Sequence, residues 1–182
     1  TGKLYLTASN IPYPSDIASG PPVMWLDASK ITSLADDAGI DRVTSWVDRS
    51  GNGWTPSNSL GSSPEYDETG LNGEPAVDFT SETQFLRTAD KGLTLMIDGT
   101  ANPDMTLFLV LRTPAAMTAN RYLVDASRTN LGDYGFPRVR QQSTRRLQVF
   151  KYNNQRDSLN NSAMSDTTPY VFATIMENGA ST

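Results

Sequence analysis

Met105-Thr106-Leu107-Phe108-Leu109-Val110-Leu111 is the stretch on which the reading of this chain turns. A short continuous apolar run followed by Arg112 and preceded by the turn cluster 102–104 reads as a strand. Side chains alternate across a strand, so both of its faces are apolar here. That predicts a strand buried on both sides, in the middle of a sandwich or in one sheet covered by a loop.

Other strand-like segments lie on either side at short intervals: 3–7, 23–27, 43–47, 76–79, 85–87, 93–97, 121–125, 136–140, 146–152 and 170–177. The strand at 105–113 contains the apolar run. Turn clusters separate them at 48–53, 61–64, 70–73, 102–104, 130–135 and 153–161. Many short strands with regular turn punctuation predict an all-β sandwich or jelly roll. Only residues 31–38 read as a short helix. Residues 9–22 hold Pro12, Pro14, Gly20, Pro21 and Pro22. Proline fixes φ and removes a ladder donor, so residues 1–20 read as an extended arm leading into the main domain or lying against a neighbour.

Composition narrows the chemistry. The 182 residues contain no His and no Cys. His-dependent triads, His-ligated metals, thiolate chemistry and disulfide frameworks are therefore excluded. Carboxylate chemistry, a hard-cation site built from oxygens, or a non-catalytic role survive. The net charge of −5 argues against nucleic acid as the main partner. The charge is uneven: residues 1–91 carry thirteen acidic and six basic side chains, residues 92–182 seven and nine. No apolar run approaches the roughly 20 residues of a membrane span.

Four ordered blocks carry a resemblance. They are Met24-Trp25-Leu26-Asp27-Ala28-Ser29, then Val43-Thr44-Ser45-Trp46-Val47-Asp48-Arg49-Ser50-Gly51-Asn52-Gly53, then Gly70-Leu71-Asn72-Gly73-Glu74-Pro75-Ala76-Val77-Asp78-Phe79, and Thr106-Leu107-Phe108-Leu109-Val110. Over residues 21–113 this order resembles the concanavalin A-like, or laminin G-like, jelly-roll domains of bacterial and phage surface proteins. The resemblance implies an all-β concanavalin-like (laminin G-like) β-sandwich jelly roll over 21–182 behind the N-terminal arm. Such domains usually continue past the segment resembling 170–179 with a closing strand. Here Asn178-Gly179 looks like a hairpin turn awaiting its return, so the sandwich is expected to lack its last strand or strands. The polypeptide then continues, or another chain pairs with the open edge. The blocks also have a local reading. Trp25 and Trp46 each alternate with an apolar neighbour, and 48–53 and Asn72-Gly73 are turn chemistry.

The resemblance implies calcium near such loops. Asp48, Asn52 and Asp78 offer oxygens in or near turns, as calcium requires; the competing reading has Asp48 capping its own turn and Asp78 paired or solvated. Asp36, Asp37 and Asp41 lack calcium-loop spacing and read as a solvated patch. A glycan platform needs rings beside polar groups. Trp54, Tyr66, Tyr134 and Tyr152 sit in or beside polar stretches, with Asn154 and its neighbours close in sequence; the alternative is that these rings cover the edges of the core. Glu65-Tyr66-Asp67-Glu68-Thr69-Gly70 approaches the Glu-x-Asp-x-x-Glu of retaining jelly-roll glucanases, but Gly70 stands where the third carboxylate belongs. In a turn-rich stretch this reads as a chance near miss.

Arg138, Arg140, Arg145 and Arg146 open a basic stretch interleaved with aromatics. It suits an anionic ligand, the solvent side of a hairpin, or an interface with the acidic half of another subunit. Asn160-Asn161-Ser162 is a glycosylation sequon. The expected role is a non-catalytic glycan- or receptor-binding module on a virion or bacterial extracellular protein. A structural subunit, joined to others through its arm and open C-terminal edge, is the alternative, and a glycosidase the third reading.

Overall fold

A computed structural model describes residues 22, 24–88, 105–113, 120–125, 138–144, 146–150, 156–158, 164 and 168–176. The chain divides into two compact units, Thr1–Ala89 and Asp90–Thr182. The expected arm at 1–20, the strand expected at 93–97, the sequon, and Tyr134, Arg145, Tyr152 and Asn154 lie outside the described residues. The described part is all-β: antiparallel strands with two single 3₁₀ turns, Ala28–Lys30 and Leu60–Ser62. None of its helices is long and apolar enough to cross a membrane.

The first unit holds a four-stranded meander in the order β1 (Ser33–Asp37), β2 (Ile40–Ser45), β3 (Glu65–Leu71) and β4 (Glu74–Asp78). The helix expected over 31–38 is a strand instead. Its pairing with β2 runs from Ser33↔Ser45 to Asp37↔Ile40. Ala38 and Gly39 turn the chain with φ of 55° and 85°, the two positive values that a tight hairpin of matching twist needs. Alanine rarely takes that conformation, so no turn signal marks the site in the sequence. Asn72-Gly73 joins β3 to β4 with φ of 57° and 85°, as the Asn-Gly pair predicts.

The segment at 65–71, read as turn-rich, is also a strand. Its register with β4, Tyr66↔Val77 and Asp67↔Ala76, resumes at Leu71↔Glu74 after an irregularity. Gly70 lies inside that irregularity, where an added Cβ would come within 2.9 Å of the Asp67 carboxyl and 3.0 Å of Ala76 Cβ. Of the segment expected as a strand at 23–27, the described residues 24–27 form no strand and lead into the first 3₁₀ turn, with Asp27 extended as its cap. At 85–87 only Arg87 forms a bridge, to Ser57.

The second unit contains two sheets. One pairs β5 (Met105–Arg112) with β10 (Pro169–Met176) over eight residues. The other is a meander of β6 (Arg121–Asp125), β7 (Arg138–Gln141), β8 (Leu147–Phe150) and β9 (Arg156–Ser158). Val139 and Val149 form a buried centre against which Leu107, Leu109, Val124 and Phe172 pack. The alternating inner faces of two sheets thus make this core.

The apolar run is not buried on both faces as its composition predicts. Leu107 and Leu109 face the core, but Phe108 and Val110 on the other face are 67% and 61% exposed, beside Val171 on β10 at 77%. β5 is buried on one side only. Among the described residues it pairs with β10 alone, and β10 has no second strand neighbour.

Candidate functional site

The loop at 46–55 is organised by one carboxylate. Asp48 is buried. Its Oδ1 accepts the N–H groups of Trp25 and Ser50, each at 2.9 Å. Its Oδ2 accepts the Ser50 hydroxyl at 2.7 Å and the Trp54 N–H at 3.0 Å. The loop closes further through Asp48 N–H to Thr55 Oγ1 and Arg49 N–H to the Trp25 carbonyl. Gly51 and Gly53 take φ of 89° and 76°, which lets the chain fold back around the carboxylate. Burial pushes the Asp48 carboxyl up, but the hydrogen bonds from Trp25, Ser50 and Trp54 outweigh it and hold the group below its ordinary value.

Those four donors bear on the calcium expectation. A carboxylate offers about four lone-pair positions, and each Asp48 oxygen already accepts two bonds. This is the turn-capping reading of Asp48, extended by a partner 23 residues away in the chain. Asn52 is exposed, its amide donating to the Pro22 carbonyl at 3.4 Å. Asp78 is exposed at the end of β4, opposite Glu65 in register. Among the described residues no three acidic groups gather to hold a metal ion.

Around this loop stand the rings. The Arg49 guanidinium lies 5.0 Å from the centre of the Trp25 ring. Trp54 is half-buried and tethered to Asp48 by its backbone, with its indole N–H inside the protein and without an acceptor. The Trp46 indole N–H is likewise buried without an acceptor. Tyr66 stands in β3 opposite Val77, half-buried, rather than in a loop.

Two of the three carboxylates of the glucanase-like segment are engaged, and Glu68 is exposed. Glu65 Oε1 accepts from Arg42 at 3.0 Å and from the Thr80 hydroxyl at 2.8 Å. Asp67 Oδ1 accepts from the N–H of Thr69 at 2.9 Å.

In the second unit, Arg140 lies on the β7 face opposite buried Val139, bonded to Gln148 and 6.0 Å from the Tyr122 ring centre. Arg138 begins β7, paired with Asp125 on one side and Phe150 on the other. Arg140 itself is half-buried, with its Nε inside the protein. Arg146 is exposed at the turn between β7 and β8, where its carbonyl accepts from Gln142.

One feature escaped the sequence reading. A cleft of about 430 Å³ is lined by Ser57, Asn58, Ser59, Arg87 and Thr88. It forms where three segments meet: Ser45 bridges Ser57, and Ser57 bridges Arg87. Asn58 locks its wall, donating to the carbonyls of Ser62 and Phe85 and accepting from Ser59 N–H. No local signal announces it, because its parts are some thirty residues apart. No protein-family model, curated protein or solved structure matches the chain.

Proposed function

We propose that this chain is a non-catalytic surface module that binds a glycan or receptor, carried on a virion or bacterial extracellular protein. The observation that carries the reading is the Asp48 loop. Its shape is held by charge-assisted hydrogen bonds within the protein, so it is formed before any ligand arrives. It holds Trp54 and the Arg49–Trp25 pair beside polar backbone, the combination of ring and hydrogen-bonding groups that saccharides suit. A concanavalin-like jelly roll is proposed as its scaffold, supported by the antiparallel sheets and by the face-to-face packing in the second unit.

The test is a glycan array probed with the intact chain, in calcium and in chelator. Reproducible hits that Trp54→Ala abolishes without changing Tm would support the reading. Silence from folded protein would overturn it. Hits lost with chelator would return attention to Asp48, Asn52 and Asp78.

A structural subunit is the second reading. It is favoured by the outer face of the β5–β10 sheet, where Phe108, Val110 and Val171 adjoin in register. Exposed apolar patches of this kind mark sites of association. If it holds, Phe108→Ser should lower the oligomeric mass measured by light scattering.

A further inference from the structure

We propose that the cleft at Ser57–Ser59 and Arg87–Thr88 is a saccharide subsite that takes the carboxylate of an acidic sugar. The inference rests on the glycan-binding reading above and names a ligand class and a place for it.

Ser57 and Arg87 exchange both hydrogen bonds, Ser57 N–H to the Arg87 carbonyl at 2.8 Å and Arg87 N–H to the Ser57 carbonyl at 3.2 Å. Residues directly opposed in this way project their side chains to the same side, with Cα atoms about 5.5 Å apart. The Ser57 hydroxyl and the Arg87 guanidinium therefore rise from one face. Ser45, which bridges Ser57 on its other side, extends the row.

The guanidinium is poised for a guest. It lies 6.0 Å from the centre of the Phe85 ring, a contact that steadies it without neutralising it. No carboxylate among the described residues pairs with it, although acidic side chains outnumber basic ones by thirteen to six in residues 1–91. Arg42, by contrast, is paired with Asp37 and Glu65.

The walls select within the anions. Ser57, Ser59 and Thr88 line the cleft, and their hydroxyls make no bond to another described residue. They match the hydroxyls of a sugar ring. Asn58 is committed to the wall itself. A single guanidinium fits one carboxylate through two parallel bonds. A phosphate dianion would want a second cation, and Arg87 is the one cationic residue among those lining the cleft. The volume lies within the range of small-ligand pockets.

The test is an amide-resolved NMR titration of the full chain with D-galacturonate, D-galactose and inorganic phosphate. Galacturonate should shift Ser57, Asn58, Arg87 and Thr88 and bind at least tenfold more tightly than either control. Arg87→Ala should weaken it at least tenfold. Arg87→Lys should retain part of the affinity, because an ammonium keeps the charge and loses the fork. Shifts elsewhere in the spectrum establish that both variants fold.

Equal response to galactose, phosphate binding as tight as galacturonate, or unchanged affinity in Arg87→Ala would each overturn the subsite. Arg42→Ala, which removes a cation of the same unit that does not line the cleft, should leave the titration unaltered. Array hits lost in Trp54→Ala together with a silent cleft would refute the subsite and leave the glycan-binding reading standing.

Discussion

The anchor of the 46–55 loop is a carboxylate, and its partners are backbone N–H groups and one hydroxyl. The anchor of the second unit is a pair of valines, and their partners are Leu107, Leu109, Val124 and Phe172. The two regions resist change differently. Hydrogen bonds to a buried charge are directional, so deleting the acceptor strands several donors at once. Apolar packing is graded, so deleting methyl groups costs in proportion to the area and cavity involved.

The largest effect is therefore expected at Asp48. Asp48→Ala should destabilise the first unit by at least about 3 kcal/mol, since it removes four bonds to a charged acceptor. Urea unfolding followed by amide signals from residues 24–88 checks this. A loss under 1 kcal/mol would mean that water replaces the carboxylate freely.

Val139→Ala tests the other side. It should cost about 2 kcal/mol, from lost transfer energy and a small cavity, and act on the signals of β5 to β8. The comparison weakens if both variants melt every signal together by the same amount.

Acid sharpens the contrast. The Asp48 carboxyl ionises below its ordinary value of 3.8 in the folded chain. Its contribution is thus fully present above the unfolded value and lost as pH falls through the lowered one. Thermal melts should show the first unit losing stability below about pH 3.8, the ordinary value. Asp48→Asn should be less stable at neutral pH and flatter in acid. An unchanged acid profile in that variant would assign the transition to other carboxylates.

Smaller effects are expected where charge or apolar surface meets solvent. Arg42→Ala breaks contacts to Asp37 and Glu65 that are partly exposed, and should cost about 0.5–1 kcal/mol. Phe108→Ser, on the outer face of β5, should change the stability of the isolated chain by no more than about 0.5 kcal/mol. A larger loss by chemical denaturation would show that this face is covered in solution.

How much could be read in advance differed between elements for physical reasons. β5 and β6 declare themselves by composition, because apolar and β-favouring residues suit a pleated surface. The Asn72-Gly73 turn and the Asp48 cap are local chemistry within a few residues. β3 is hidden, because Glu65-Tyr66-Asp67-Glu68-Thr69-Gly70 has little β-preference and becomes a strand through its ladder with β4. β1 is hidden because its turn uses Ala38, and its acidic pair Asp36↔Asp41 lies directly across the hairpin. At β9, three polar residues become a strand only by pairing with β8.

The same division runs through the candidate site. Trp54 and Asp48 stand out as a ring and an acid in a turn. That the Asp48 carboxylate reaches back to Trp25 is not written in either segment.

The amino-acid sequence by itself determined the all-β character of the described residues, the absence of His and Cys chemistry, an acidic first half and the turns at 48–53 and Asn72-Gly73. These follow from residue identity and from preferences over a few neighbouring positions. Tertiary structure alone decided that Phe108 and Val110 face outward, that Glu65 is paired with Arg42, and that Ser57 stands beside Arg87. Each depends on register between distant segments, and register is set by which long-range pairing buries the most apolar surface while satisfying the backbone.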